Sequence, residues 1–123
     1  MKRHLPNLLA ALLTFLIGIC SAGNFPYESG RLQAYVDVAR GRYELQVFGT
    51  IDRELAEFSE IAANEYGIEV YTHGCIISDQ GIERVRGYNE VSKAAIKRKY
   101  GVHVIDSIWD QARDRYRAKQ LAP

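Results

Sequence analysis

The sequence is poor in cysteine, which limits what can stabilise its fold. Of its two cysteines, Cys20 lies in an apolar N-terminal segment, so only Cys75 remains in the rest of the chain. Exported proteins that are stabilised by disulfides usually carry an even number of cysteines. We therefore expect the fold to depend on its hydrophobic core, with Cys75 buried, free, or paired between two chains.

The sequence also lacks the motifs that identify several classes of enzyme and metal-binding protein. None of CxxC, HxxxH or HExxH occurs, and the glycines match neither GxGxxG nor the phosphate-binding GxxxxGK[ST]. The nucleophile motif GxSxG is absent as well. Because zinc sites need three or four well-placed ligands, we predict no metal site, and we predict no cofactor.

The N-terminal segment has the layout of a secretory signal peptide. A basic start (KRH) precedes the apolar residues 8–19, and small residues follow at Cys20 and Ala22, the two positions that a signal peptidase recognises. The apolar run is too short to span a bilayer of about 30 Å comfortably. We predict that residues 1–22 are a signal peptide and that the protein is exported, to the periplasm of a bacterium or beyond it. The less favoured alternative is a lipoprotein with lipid on Cys20, against which the bulky Ile19 argues.

The rest of the chain divides into an acidic and a basic half. Residues 23–83 carry 4 basic and 11 acidic residues, a net charge of −7, whereas residues 84–123 carry 10 basic and 4 acidic residues, a net charge of +6. Domains that bind nucleic acid usually have a strong overall basic charge, but the whole chain has a net charge of only +1. We expect no nucleic-acid partner and partial neutralisation between the halves. A weak contact of the basic C-terminal helices with an anionic surface is the alternative.

Alternating apolar residues predict that the structured part begins with a β-hairpin. Two runs, residues 32–38 and 43–47, alternate around the segment ARGR, which can form the turn. A helix over residues 30–39 is the competing interpretation, because the apolar residues of this stretch also fall on one helical face. We favour the hairpin.

Further along the chain, apolar residues three or four apart predict three helices, and a short apolar run predicts one more strand. The helices are expected over residues 52–66, from about 82 to 100, and from about 106, with the strand over 68–75. The helix over 52–66 can act as a right-handed parallel crossover between strands. The fold class is therefore α+β, a small sheet of about three strands packed by about three helices.

This pattern places one domain after the signal peptide. We expect residues 23–30 to form an irregular lead-in, because Gly23, Pro26 and Gly30 interrupt any regular period. Residues 31–119 are expected to form the single α+β domain, and residues 120–123 a C-terminal tail.

His73 and Cys75 are the only candidates for catalysis. They stand two apart at the end of the predicted strand, where alternate side chains share a face. A cysteine nucleophile needs a base within hydrogen-bond reach and a group that orients the base, but this spacing places the two side chains several ångströms apart. We interpret Cys75 as a sheltered thiol at the end of a strand, and a thiol-dependent enzyme or redox protein as the alternative function.

Exposed aromatic and basic residues are the candidates for binding. The chain has eight tyrosines, and tyrosine suits recognition surfaces because it combines an apolar ring with a polar tip. Tyr71 and Tyr88 are the tyrosine candidates, whereas Lys93, Lys97 and Arg98 form a basic patch on a helix. We predict a small exported protein without catalytic activity, which acts as a binding or accessory factor through contact with an unknown partner protein.

Overall fold

Four helices and two strands follow one another in residues 25–122, the part of the chain that a computed structural model of the protein describes. In chain order they are α1 (Pro26–Ala39), β1 (Tyr43–Val47), α2 (Arg53–Tyr66), β2 (Ile68–Thr72), α3 (Asp79–Tyr100) and α4 (Val104–Leu121). A single α+β domain is confirmed. The expected signal peptide at residues 1–22 and the alternative lipid site at Cys20 lie outside the described residues. No helix within residues 25–122 is both long and apolar enough to cross a membrane.

The prediction of a first hairpin is wrong, and the sheet has two strands instead of three. Residues 26–39 form α1, with Pro26 in its first turn, where a missing N–H costs nothing. The helix therefore also includes residues 26–30 of the expected lead-in. Alternation predicted the wrong element because α1 makes its main contact through small residues, which leaves large apolar residues such as Leu32 and Tyr35 exposed. At the other end, α4 continues to Leu121, into the expected tail.

Two glycines bring α1 and α3 into close contact. A Cβ atom built on Gly30 would overlap the carbonyl oxygen of Arg84, and one built on Gly87 would overlap the carbonyl oxygen of Tyr27. A small buried cluster of Ala34, Tyr88 and Val91 completes this contact. Gly87 is therefore a packing position, although glycine in a helix interior is less favourable than alanine by about 1 kcal/mol.

The two strands and the helix between them form a parallel β-α-β unit. Tyr43 pairs with Ile68 and Leu45 with Val70 in the ladder, and α2 provides the crossover that the sequence predicts. Asp52 caps α2, because its Oδ1 accepts the N–H of Leu55 at 2.7 Å. Gly67 ends the helix in the left-handed conformation, with φ of 64°.

The main core lies between one face of the sheet and the helices α2 and α4. Leu45 and Ile68 face it from the strands, together with Phe58 and Ile108 from the helices. The ring of Phe58 stacks on Trp109 with a distance of 4.3 Å between centroids. Burial of one such large apolar side chain contributes about 1.5–3 kcal/mol. This cluster therefore supplies the core on which the fold of residues 25–122 depends, since their single cysteine, Cys75, is free.

Candidate functional site

The second face of the sheet is polar and lines an open groove. Side chains alternate along each strand, so Glu44 and Gln46 of β1 point away from the core, as do Glu69 and Tyr71 of β2. In the ladder Glu44 lies opposite Glu69, and Gln46 lies opposite Tyr71. The groove has a volume of about 420 Å³, and its lining residues are Gln33, Arg42, Glu44, Gln46, Glu69, Tyr71, His73 and Arg84. We call this the polar groove.

A chain of hydrogen bonds fixes His73 inside the polar groove. Nε2 of His73 lies 3.0 Å from Oε1 of Gln46, and Nε2 of Gln46 donates to Oε1 of Glu44 at 2.8 Å. The amide group of Gln46 thus presents its oxygen to the imidazole. With the amide in this orientation, Nε2 of His73 is the nitrogen that donates to Gln46.

Aromatic rings hold His73 from two sides. The ring centroid of Tyr71 lies 4.8 Å from that of His73 in an edge-on arrangement, and the centroid of Phe48 lies 5.4 Å away. Tyr71 is nonetheless 53% exposed. An aromatic side chain that is accessible and already held in place loses little conformational freedom when a partner covers it.

Helix α3 closes the outer edge of β1, beside the polar groove. Asn89 replaces a neighbouring strand, because its Oδ1 accepts the N–H of Gln46 at 2.9 Å and its Nδ2 donates to the carbonyl oxygen of Gln46 at 2.7 Å. The hydroxyl of Ser92 donates to the carbonyl oxygen of Glu44. Gln46 is only 7% exposed, so these bonds satisfy backbone groups that would otherwise be buried without partners.

One guanidinium group balances three carboxylates along the polar groove. Arg42 lies 3.7 Å from Asp37, 4.0 Å from Glu44 and 3.9 Å from Glu69. Asp37 also accepts the hydroxyl of Tyr88 at 3.0 Å. Burial raises the pKa of Tyr88 well above its ordinary range, and the hydrogen bond to Asp37 raises it further. Tyr88 therefore remains a donor at neutral pH.

The structure separates the residues that the sequence suggested for binding. Tyr71 lies in the polar groove. Tyr88 is 1% exposed and belongs to the contact between α1 and α3, so its assignment to a binding surface is wrong. Lys93, Lys97 and Arg98 are exposed on α3 but do not line the polar groove. Within residues 25–122, none of these three cations lies within ion-pair distance of a carboxylate.

The structure does not assemble a Cys75–His73 pair. Strand β2 ends at Thr72, and Gly74 has φ of 74°, so the alternation that placed the two side chains on one face stops before Cys75. Cys75 is free and exposed, which corrects the expectation of a sheltered thiol. Among the hydrogen bonds of the described residues, His73 bonds to Gln46 and none joins it to Cys75. The same residues contain no group of three or more metal-ligating side chains.

Sequence reasoning missed most of the polar groove. The alternation of Tyr43, Leu45 and Val47 with polar residues carried a signal for Glu44 and Gln46, because the residues between core-facing positions must share the opposite face. No comparable signal marked Asn89. Its function depends on the packing of α3 against the edge of a strand more than forty positions earlier in the sequence.

Comparisons of the chain with models of known protein families, with curated proteins and with solved structures found no match. The geometry of the polar groove therefore carries the functional argument without support from a relative.

Proposed function

We propose that this is a small exported protein without catalytic activity, which binds a partner protein through the polar groove. The observation that carries the proposal is the position of Tyr71, which is half exposed and packed edge-on against a His73 ring that is itself hydrogen-bonded. Rigid aromatic anchors of this kind dominate many protein interfaces. The layout of residues 1–22 supports export.

The surroundings of Tyr71 suit recognition better than chemistry. Carboxylates and guanidinium groups line the polar groove together with amide and imidazole groups, so it offers donors and acceptors at fixed positions. A thiol-dependent activity has less support, because no hydrogen bond within residues 25–122 joins Cys75 to a base that could activate a cysteine nucleophile.

A weak contact with an anionic surface is a separate proposal for α3. Its support is the exposed group of Lys93, Lys97 and Arg98, whose charges have no carboxylate partner within the described residues. We expect binding to vesicles that contain anionic lipid and a decrease of this binding as salt rises. Binding that does not depend on salt would contradict this proposal.

Capture of the partner tests the groove directly, with a matched pair of tyrosine variants. Tyr71 and Tyr35 are each 53% exposed, but Tyr35 lies on α1 and does not line the polar groove. The tagged protein and both variants are incubated with periplasmic extract, and the captured proteins are quantified by mass spectrometry. We expect Tyr71→Ala to reduce capture of a specific protein by about tenfold or more, as loss of an interface hot spot does, whereas Tyr35→Ala retains it. Equal capture by the two variants, or no specific capture by the wild type, would overturn the proposed function.

A further inference from the structure

The outer edge of β2 carries backbone groups that no other part of the described chain satisfies. The N–H of His73 donates to the carbonyl oxygen of Val47 at 2.9 Å, so His73, Tyr71 and Glu69 direct their backbone groups toward β1. In a strand the intervening residues point the other way. Within residues 25–122, no hydrogen bond from a loop, a cap or a side chain reaches the outward N–H and C=O groups of Val70 and Thr72.

The two edges of the sheet differ in whether their outward backbone groups form hydrogen bonds with another element. At the edge of β1, Asn89 and Ser92 of α3 satisfy the backbone of Gln46 and Glu44. No segment of residues 25–122 covers the edge of β2 in this way. Its sequence, IEVYT, also contains neither the proline nor the lysine by which edge strands commonly resist pairing. A free edge of this kind can accept an additional strand.

The charge around this edge favours a basic occupant. Residues 52–69 contain six acidic residues and one basic residue. Three of these carboxylates, Glu57, Glu65 and Glu69, pair with Lys119, Arg115 and Arg42, whereas Glu54 and Glu60 have no ion-pair partner within residues 25–122. Glu69 lies on β2 itself, with 68% of its side chain exposed, and Glu60 is exposed on the neighbouring α2. A second copy of the chain that paired edge to edge would bring two acidic surfaces together, whereas a basic segment would complement the charge.

We propose that the outer edge of β2 binds an extended segment of the partner protein, with basic residues at alternate positions, as the third strand of the sheet. This inference rests on the proposed function and specifies the form of the partner. Side chains on one face of the added strand would lie beside Glu69 and Tyr71, at the mouth of the polar groove, and take the basic residues. Those on the other face would lie beside Val70 and Thr72 and take apolar residues.

One pair of variants isolates the backbone contact. Thr72→Pro removes an N–H that points outward, and it leaves the hydrogen bonds between β1 and β2 in place, as expected for a proline on an edge strand. Thr72→Ala is the matched control, because it changes the same side chain and retains the N–H. Far-ultraviolet circular dichroism and the urea midpoint establish that both variants fold. Glu69→Lys is a second variant that reverses the charge at an exposed position without altering the backbone.

The probe is a short fluorescent peptide that alternates valine and lysine, and its binding is measured by anisotropy. We expect Thr72→Pro to bind the peptide about tenfold more weakly than the wild type, because one bond is lost and its acceptor is left unpaired. Thr72→Ala retains the N–H and changes only a cross-strand side-chain contact, so its binding is expected to weaken by about threefold or less. Glu69→Lys is expected to bind the lysine peptide more weakly than the wild type does. The wild type is expected to bind a peptide with glutamate in place of lysine more weakly than the lysine peptide. Equal binding by Thr72→Pro and Thr72→Ala, or by the two peptides, would overturn the proposal.

Two further results separate this inference from its alternatives. If a partner whose capture requires Tyr71 is still captured by Thr72→Pro, edge pairing is wrong and the proposed function stands. If no partner is captured by the wild type, the proposed function fails, whatever the peptide does. If light scattering shows that the wild type is a dimer and Thr72→Pro a monomer, the edge of β2 binds a second copy of the chain. The proposal of a basic partner segment would then be wrong.

Discussion

The two faces of the sheet come from the same ten strand residues, yet they differ in almost every physical property. Leu45 and Ile68 lie on one face and are buried under α2 and α4. Glu69 and Tyr71 lie on the other face and are exposed. Because strand side chains alternate, a shift of one residue would exchange the two faces. The register that forms the core therefore also arranges the polar groove.

The polar face is more than a solvated surface left over from the core. Gln46 is almost as buried as Leu45, and its amide group links the carboxylate of Glu44 to the ring of His73. Its backbone is held by Asn89. The core face thus depends on the packing of apolar side chains, and the polar face on directed hydrogen bonds. Substitutions on the two faces are therefore expected to reduce the free energy of unfolding by different amounts.

The largest effect on stability is expected on the core face. Phe58→Ala removes a ring that is 2% exposed and stacked on Trp109. Urea denaturation is expected to show a loss of about 3–5 kcal/mol in the free energy of unfolding, as for other buried phenylalanines. A loss as small as that of an exposed side chain would show that the core does not lie between the sheet and the helices α2 and α4.

A second large effect is expected where α1 meets α3. Gly87→Ala places a methyl group against the carbonyl oxygen of Tyr27 and should cost about 1–3 kcal/mol or more through overpacking. The matched control on the same helix is Gly81→Ala, whose new Cβ would lie 3.1 Å from a side-chain atom, the capping hydroxyl of Ser78, and not against backbone. It should change stability by no more than about 1 kcal/mol. Similar urea midpoints for both variants would contradict the close approach of the two helices.

The polar face should be sensitive to the loss of directed bonds. Asn89→Ala leaves the N–H and C=O groups of Gln46 without partners, which should cost about 1–3 kcal/mol. Lys93→Ala, at an exposed position of the same helix, should stay within about 0.5 kcal/mol of the wild type. If the two variants unfold at the same urea concentration, α3 does not serve as the cover for the edge of β1.

The buried hydroxyl of Tyr88 is expected to make the stability of the protein depend on pH in the alkaline range. Its pKa is higher in the folded protein than in the unfolded chain, where it is close to the ordinary 10.0. The stabilising contribution is therefore complete below that ordinary pKa and decreases as pH rises above it, because only the unfolded state then loses the proton. In Tyr88→Phe the decrease in stability that Tyr88 causes at alkaline pH should be absent. At neutral pH this variant should be less stable than the wild type by about 0.5–1.5 kcal/mol, because it lacks the hydrogen bond to Asp37. Parallel pH profiles of the two proteins would count against a buried Tyr88.

The smallest effect on stability is expected at Tyr71. Because its side chain is exposed and lies on the polar face, Tyr71→Ala should change the free energy of unfolding by only about 0.5 kcal/mol. The same variant is expected to lose partner capture. A large loss of stability would indicate that Tyr71 belongs to the packing of the fold, and its use as a binding anchor would then lose its main support.

Local patterns predicted the part of the fold in which local and tertiary preferences agree. Helix α2 was predictable because Asp52 caps it, Gly67 ends it and its apolar residues lie on one stripe. Helix α1 was misassigned because it buries Gly30 and Ala34 instead of its large apolar residues. A segment that packs through small side chains shows little hydrophobic periodicity in its sequence. Its structure is therefore determined by its contact with another element, here that of α1 with α3.

In the polar groove too, residues could be predicted where the local sequence marks them, and could not where contacts between distant segments place them. Tyr71 and His73 were visible as candidates because tyrosine and histidine stand out by chemistry alone. Arg42 and Asn89 did not stand out, since their contacts join segments that are distant in sequence. Cys75 attracted attention because cysteine is scarce, but the end of β2 at Thr72 removed the geometry on which its pairing with His73 depended.

Site-specific photo-crosslinking in cells that produce the protein tests the central claim, that the polar face of the sheet is the surface that binds a partner. A photoreactive amino acid replaces Glu69 on the polar face or, as the control, Asp110 on α4; their side chains are 68% and 74% exposed. The account predicts that irradiation joins a specific protein to the chain at position 69 and not at position 110. The same crosslinked protein at both positions, or a specific product at position 110 alone, would contradict it.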